Sequence, residues 1–373
     1  MLNQPSIIFT VLAFIAVLGP LVFLHELGHY LVGRWCGIRA DVFSIGFGRE
    51  VIGWTDRRGT RWKIGWLPLG GYVQFAGDAD GVSTPHAVAG EEPAGSFAAA
   101  SLWKRSLTVA AGPITNFIVA IIILTGFAIA YGRIGTPPVA QVVQPGSPAA
   151  VAGILPGDRI VSIDGRAMDS YTDIPMAVAH RAGMPINVVI DRAGTERALT
   201  ITPRLIREPD RFGNVNARGV IGIVNNQVVL TPVALVDAPA EGVRQAWMFT
   251  RQMAEVIGQL LIGDRSIKDL GGPLKIAQTS GQQASLGVGS YMFFVALISL
   301  NLGFVNLLPM PMLDGGHLLF NAVEALRRRP VSIAVQQVAF RAGFAAIAVL
   351  MIVVTFNDLS SFGLWQRIAG LIG

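Results

Sequence analysis

His25-Glu26-Leu27-Gly28-His29 puts two imidazoles four residues apart with a carboxylate between them. On a helix, positions i and i+4 share a face, so both histidines can bind one metal ion. The glutamate between them is then placed to serve as general base in a zinc-dependent hydrolysis. The surroundings sharpen this reading. From Ile7 to Leu24 no side chain ionises, and His, Glu and His then arrive together at the end of a stretch long enough to enter a bilayer. Ionisable groups in membrane segments are expensive and mark function. The chemistry indicated is hydrolysis of a peptide bond at membrane depth.

Two histidines leave zinc short of the three protein ligands of a catalytic site. Of the five histidines in the chain, His86 falls in the Gly-, Ala- and acid-rich loop Asp78 to Ser96, and His180 falls in a soluble-domain segment. That leaves Asp314 and His317, in Asn306-Leu307-Leu308-Pro309-Met310-Pro311-Met312-Leu313-Asp314-Gly315-Gly316-His317. Asp314 ends a 28-residue uncharged run that begins at Leu286, which favours a ligand over a helix-end charge. His317 stays open as a further contact or a supporting group.

The elements that must position these residues are membrane spans. The chain of 373 residues is 52% hydrophobic, only 14% charged, and has a mean hydropathy of +0.52, whereas soluble domains carry about 25% charged residues. Four segments pass as spans, at Ile7–Val32, Ser106–Tyr131, Leu286–Leu313 and, shorter, Ala342–Asn357, since about 20 apolar residues cross a bilayer as a helix. Arg34, Arg39, Arg49, Arg57, Arg58, Arg61, Lys63, Lys104 and Arg105 lie between the first two spans, and Arg327, Arg328, Arg329 and Arg341 between the last two. This asymmetry places both loops in the cytoplasm and the long insert after the second span outside. Asp314 and the His pair then reach the same, cytoplasmic side. The net charge is +5 and the basic residues flank apolar spans, so nucleic acid is excluded as a partner. Cys36 is the single cysteine and can form no internal disulfide. No cleaved signal peptide is expected: residues 1–6 carry no Lys or Arg, and cleavage after the first span would discard the His pair.

Ala40 to Phe75 alternates in short stretches punctuated by glycines and Pro68, which predicts short β-strands with Trp54, Trp62 and Trp66 at an interface. Thr136 to Arg204 has the texture of a small soluble domain. Gly146-Ser147-Pro148-Ala149-Ala150, then Ala152-Gly153-Ile154-Leu155-Pro156-Gly157-Asp158-Arg159-Ile160, then Ile163-Asp164-Gly165 closely resembles a bacterial PDZ domain. Such domains add an extended peptide to a sheet edge. Phe212 to Leu230 reads as a strand-rich remnant. Ala240 to Gly263 reads as an amphipathic helix on the membrane face or packed on a partner helix.

The whole pattern resembles the site-2 protease family of intramembrane zinc metalloproteases, in its bacterial RseP-like branch. His25–His29 matches that family's HExxH and Leu313-Asp314-Gly315 its LDG. The PDZ insert and the Asn306-x-x-Pro309-x-Pro311 approach match as well. The resemblance implies a Zn2+ cofactor held by His25, His29 and Asp314, Glu26 as base, and substrate handling by Asn306, with Pro309, Pro311, Gly46 and Gly71 as further substrate contacts. It also implies a membrane-reentrant β segment that binds substrate as a strand at Val42–Phe47 or Gly71–Phe75. RseP itself carries two tandem PDZ domains, whereas this chain has room for one clear copy.

The expected fold is therefore a polytopic α-helical membrane protein with about four transmembrane helices, a membrane-associated β segment and an inserted α+β PDZ domain. Its expected boundaries are 1–35 for the first helix, 36–104 for the β segment and loop, 105–132 for the second helix and 136–205 for the PDZ domain. They continue with 206–284 for a β remnant and amphipathic helix, 285–320 and 331–358 for the last two helices, and 359–373 for a tail. Expected partners are single-span membrane protein substrates, such as pre-cleaved anti-sigma factors or signal-peptide remnants, peptide segments at the PDZ domain, and the lipid of a bacterial inner membrane. The rival readings are a catalytically inactive membrane PDZ adaptor with a vestigial zinc site, which the intact Glu26 and third ligand oppose, and a metal transporter, for which the second and fourth spans offer almost no polar residues.

Overall fold

A computed structural model describes residues 5–77, 95–168, 170–171, 173–179, 181–209, 215–225, 229–263 and 271–361. His86 and His180 lie outside the described residues. The chain divides into two compact units, Met1–Phe127 with Pro239–Gly373, and Ala128–Ala238.

The first unit begins with α1 (Ile7–Trp35), whose first turn is capped by Ser6 Oγ accepting from the Phe9 amide. Then follow β1 (Ala40–Thr55), β2 (Arg61–Phe75) and α2 (Leu102–Tyr131). The β segment consists of two long strands that fold back on themselves, not of several short ones. Val42–Ile45 stand beside Gly71–Gln74 on one flank and beside Arg61–Ile64 on the other, and Ile52–Thr55 pair with Arg61–Ile64. The bend falls at Gly46 and Gly48, both with positive φ, a conformation that glycine adopts without steric cost. Trp54 and Trp66 are exposed, whereas Trp62 is half-buried: it stacks on Phe43 and on Trp54 and meets Tyr30 of α1 edge-on. The hairpin turn is tied down by Asp56, which accepts from Trp62 Nε1, the Thr60 and Arg58 amides and Tyr30 Oη. These bonds, the one from Trp62 foremost, lower its carboxyl pKa to about 2.

The insert holds β3 (Arg133–Gly135), β4 (Val142–Val143), α3 (Pro148–Val151), β5 (Arg159–Ile163), β6 (Arg166–Ala167), α4 (Asp173–Ala179), β7 (Ile186–Arg192) and β8 (Thr195–Ile201). After them come β9 (Arg204–Pro209), β10 (Val215–Val220), β11 (Ile223–Val224) and β12 (Val229–Thr231). Its main sheet runs β6-β5-β7-β8, all antiparallel. Asp164-Gly165 and Ala193-Gly194 close its hairpins with positive φ at both positions, the backbone that two-residue turns between right-twisted strands require. The inward faces pack Ile160, Ile163, Val188 and Ile190 against Ile174 and Val178 of α4. The expected boundary at residue 205 is too early. Ile221 and Ile223 alternate into the same core, β11 pairs with β4, and Tyr171 Oη donates to the Ile223 carbonyl at 2.7 Å. Ile221, β11 and β12 thus belong to the insert's own fold, β12 pairing with β3.

The first unit resumes with α5 (Ala238–Ile262), α6 (Pro273–Ser285), α7 (Val288–Asn306), α8 (Asp314–Arg327) and α9 (Ile333–Ser361). Among the described residues, four helices, α1, α2, α7 and α9, are long and apolar enough to cross a membrane. The architecture is the expected polytopic helical one with an α+β insert. The amphipathic α5 takes the packed alternative, with Ala246, Phe249 and Met253 against Leu124, Ala120 and Phe293. Two spans differ from expectation. The third ends at Asn306, and residues 307–313 turn before the separate helix α8. Pro309 and Pro311 explain the break, because proline lacks an amide hydrogen and pushes the residue before it out of the helical region. The fourth is a full 29-residue helix, since Arg341 near its start is tolerated where its charged head can reach water.

Candidate metal centre

Helix α1 brings His25 and His29 onto one face, with their Nε2 atoms 3.2 Å apart. Asp314, the first residue of α8, points one carboxylate oxygen at each: Oδ2 is 3.1 Å from His25 Nε2 and Oδ1 is 3.5 Å from His29 Nε2. One donor atom from each residue lies within 4.8 Å of the other two. Both histidines are buried. Two imidazole nitrogens and a carboxylate oxygen converging at this spacing are a donor set suited to a zinc ion with an open position.

The neighbouring helices are shaped to allow this. Gly28 lets α1 lie directly on α2: a Cβ there would stand 2.7 Å from the Ala111 carbonyl oxygen and would overlap Thr115 Oγ1. Gly112 on α2 leaves room for the His29 ring, which a Cβ would overlap at Nε2. The His29 ring is aimed by its Nδ1, 2.9 Å from the Thr108 carbonyl. At the other end, Gly315 and Gly316 let α8 begin hard against the turn, since a Cβ on either would overlap the carbonyls of Leu308 or Met310. Helix α8 is also pinned to α2 by Arg105–Glu324 at 2.6 Å and by Asn321–Ser106 at 3.1 Å.

A cavity of about 380 Å³ opens on the three donors. Glu26, Asn306, His317, Gly71 and Tyr72 are among the residues that line it. Asn306, at the end of α7, brings Nδ2 to 3.5 Å from His25 Nε2. Gly71 lies close to Glu26: a Cβ there would be 3.2 Å from Glu26 Cγ. Among the described residues, Gly71–Val73 pairs with strand β1 on one flank and lines the cavity.

Of the nine expected site residues, His25, Glu26, His29, Asp314, Asn306 and Gly71 meet in this cavity. Gly46, Pro309 and Pro311 do not line it. Gly46 serves the strand bend, Pro309 lies in the turn, and Pro311 packs under Gly316 and Gly343. Of Val42–Phe47, the part Val42–Ile45 is not an open docking edge, because it is flanked by strand on both sides, while Phe47 lines the cavity. His317 lies at the cavity wall with its ring 5.0 Å from that of Phe340. The residue missed in sequence is Thr108, which acts through a backbone carbonyl that has no sequence signature; Gly112-Pro113 and Asn116 do stand out in the sequence, as a functional break in the second span or equally a packing kink, but not as neighbours of the two histidines.

Comparison with known proteins gives a consistent picture. The profile of peptidase family M50 matches residues 13–350. A protein of Agrobacterium fabrum named "Putative zinc metalloprotease Atu1380" is 47% identical, over 94% of this chain and 96% of its own length. The "Metalloprotease MmpA" of Caulobacter vibrioides is 35% identical, over 95% and 96%. Among solved structures, a PDZ domain of an SdrC-like protein from Listeria monocytogenes matches 25% of this chain and 87% of its own, at 22% identity and a TM-score of 0.20.

Proposed function

The chain belongs to peptidase family M50, and from that premise we propose that it is an intramembrane zinc metalloprotease that cuts peptide bonds within the transmembrane segments of single-span membrane proteins. The observation that carries this is the convergence of Asp314 on His25 and His29, beside Glu26, where the last three stand on a helix long and apolar enough to cross a membrane.

The metal, when bound by His25, His29 and Asp314, supplies Lewis acidity toward the scissile carbonyl and the attacking water. Glu26 takes the proton of that water and returns it to the leaving amine. Its carboxylate sits in the cavity next to Gly71, so the nucleophile and the substrate strand meet on one side of α1. A helical substrate hides its scissile bond inside its own hydrogen bonds and must unwind. The edge of Gly71–Val73 that faces the cavity would offer backbone partners for the unwound strand, so no polar group is stranded in the apolar layer. Asn306 Nδ2, in the same cavity, would donate to the substrate carbonyl as its oxygen gains charge. From Ile7 to His25 the helix rises about 27 Å at ~1.5 Å per residue, which supports a site near the far, cytoplasmic face. The loop charges support an insert outside, on the external side of a bacterial inner membrane. There the insert would act on which substrates enter, excluding bulky external domains and passing trimmed ones.

The test is Glu26→Gln in the purified full-length protein with a single-span substrate in micelles or vesicles. Cleavage should disappear while one zinc per chain remains, because Glu26 is not a ligand. Wild-type turnover in that variant would overturn the mechanism.

A further inference from the structure

Asn116 is fully buried in α2, a helix apolar enough to cross a membrane. A carboxamide in such a place costs free energy unless it is hydrogen-bonded. Its side chain makes one such bond among the described residues, between Nδ2 and His25 Nδ1 at 3.1 Å, and Oδ1 is buried with no partner. Its backbone carbonyl accepts from Ser299 Oγ of α7 at 2.7 Å, which fixes where the residue stands. His25 is therefore the one group its polar side chain serves.

The neighbouring ligand shows what that service is. His29 Nδ1 faces the Thr108 carbonyl, and a carbonyl only accepts. His29 therefore carries its proton on Nδ1 and turns a bare Nε2 toward Asp314 and His25. His25 also directs Nε2 into the site, 3.1 Å from Asp314 Oδ2, and needs the same tautomer to use it as a donor. Its Nδ1–H then requires an acceptor, and the carboxamide beside that nitrogen belongs to Asn116. The two ends of a carboxamide fill nearly the same space, so a half-turn of the side chain presents Oδ1 in place of Nδ2.

We propose that Asn116 is the positioning residue of His25: its side-chain carbonyl accepts the His25 Nδ1–H and holds the imidazole in the tautomer that frees Nε2 for the metal. Helix α2 thereby supplies both outer contacts, a backbone carbonyl for His29 and a side chain for His25. Such contacts orient a ligand ring and raise its basicity. This rests on the reading of the site as a metal centre. Asn116 does not line the cavity, so its effect belongs to metal binding and not to substrate recognition.

The experiment is a zinc-chelator titration of the purified full-length protein, with retained metal measured directly and the melting temperature of each metal-free variant recorded beside it. Asn116→Leu keeps the volume and removes the acceptor, and its zinc affinity should fall about 10- to 100-fold. Asn116→Asp keeps an acceptor toward Nδ1–H and should hold zinc at least as tightly as the wild type. A packing role predicts the opposite order, since leucine suits an apolar span and a buried carboxylate does not. The proposal is overturned if Asn116→Leu retains zinc like the wild type, or if Asn116→Asp loses it as far as Asn116→Leu does. If Asn116→Leu fails to fold, Asn116→Asp decides alone. A wild-type protein that binds no zinc would overturn the functional reading instead.

Discussion

Gly112→Ala is the smallest change that should disable the site. A Cβ at Gly112 would overlap His29 Nε2 and stand 2.5 Å from Cε1 and 2.8 Å from Cδ2. Carbon atoms pack without strain at about 3.5 Å, so the ring must retreat by about 1 Å. It cannot pivot freely, because its Nδ1 is held by the Thr108 carbonyl four residues before Gly112 on the same helix. Metal–donor distances tolerate only about ±0.2 Å, so the donor leaves the site. A misplacement of ~1 Å costs on the order of 100-fold in rate, equivalent to about 2.7 kcal/mol of transition-state stabilisation. Helix propensity acts in the opposite direction, since Gly→Ala inside a helix stabilises by about 0.5–1 kcal/mol. The expected signature is a melting temperature that holds while zinc retention and substrate cleavage fall together. Gly126→Ala is the internal control: it lies on the same helix with nothing within 4 Å of its Cβ position, and it should keep full activity. The reasoning is refuted if Gly112→Ala retains wild-type zinc and turnover, or if Gly126→Ala loses activity to the same extent.

Two further outcomes follow from the geometry. Asp314→Ala should lower zinc occupancy more than the 10- to 100-fold typical of an outer contact, whereas His317→Ala should leave zinc in place, because His317 is not among the three convergent donors; metal analysis of the two purified variants showing the reverse would reassign the ligand. In the insert, Arg192 donates Nε and Nη2 to the two oxygens of Asp158 at 2.8 and 2.7 Å, and this bond holds the Asp158 carboxyl below its ordinary value. The stabilisation is therefore present above the unfolded pKa of about 3.9 and is lost as the pH falls through the folded value. Arg192→Met should make the Ala128–Ala238 unit easier to proteolyse in the intact chain at pH 7, and the gap to wild type should close in acid; a gap independent of pH would count against the pair.

Sequence and structure agree where the interaction is local and part where it is not. The pairing of His25 with His29 needs only one turn of helix, and the helix is written in an uncharged run of residues. Asp314 was findable because an acid directly after a long apolar run is conspicuous. The break that makes Asp314 the start of α8 was hidden by the same feature, since hydropathy continues unbroken from Leu286 to Leu313; Pro309 and Pro311 were the better guide. The insert's last strands were read as strands, but their place in the insert was missed for a different reason. β11 pairs with β4 across a long stretch of chain, and alternation at Ile221 and Ile223 does not say which sheet receives it.

The two unspecified positions inside His25-Glu26-Leu27-Gly28-His29 show where motif reading stops and packing begins. The histidines and the glutamate are set by chemistry, but residue 28 is set by the helix behind it. A side chain there would run into the Ala111 carbonyl and Thr115 and lift α1 off α2. That separation would draw His29 away from Thr108 and His25 away from Asn116, the two contacts that aim the ligand rings. A helix pair can place donors to within tenths of an ångström only when its axes approach closely, and small residues are what allow that approach inside a membrane. Gly28 and Gly112 act at the same crossing from opposite sides, one admitting the helix and the other the imidazole.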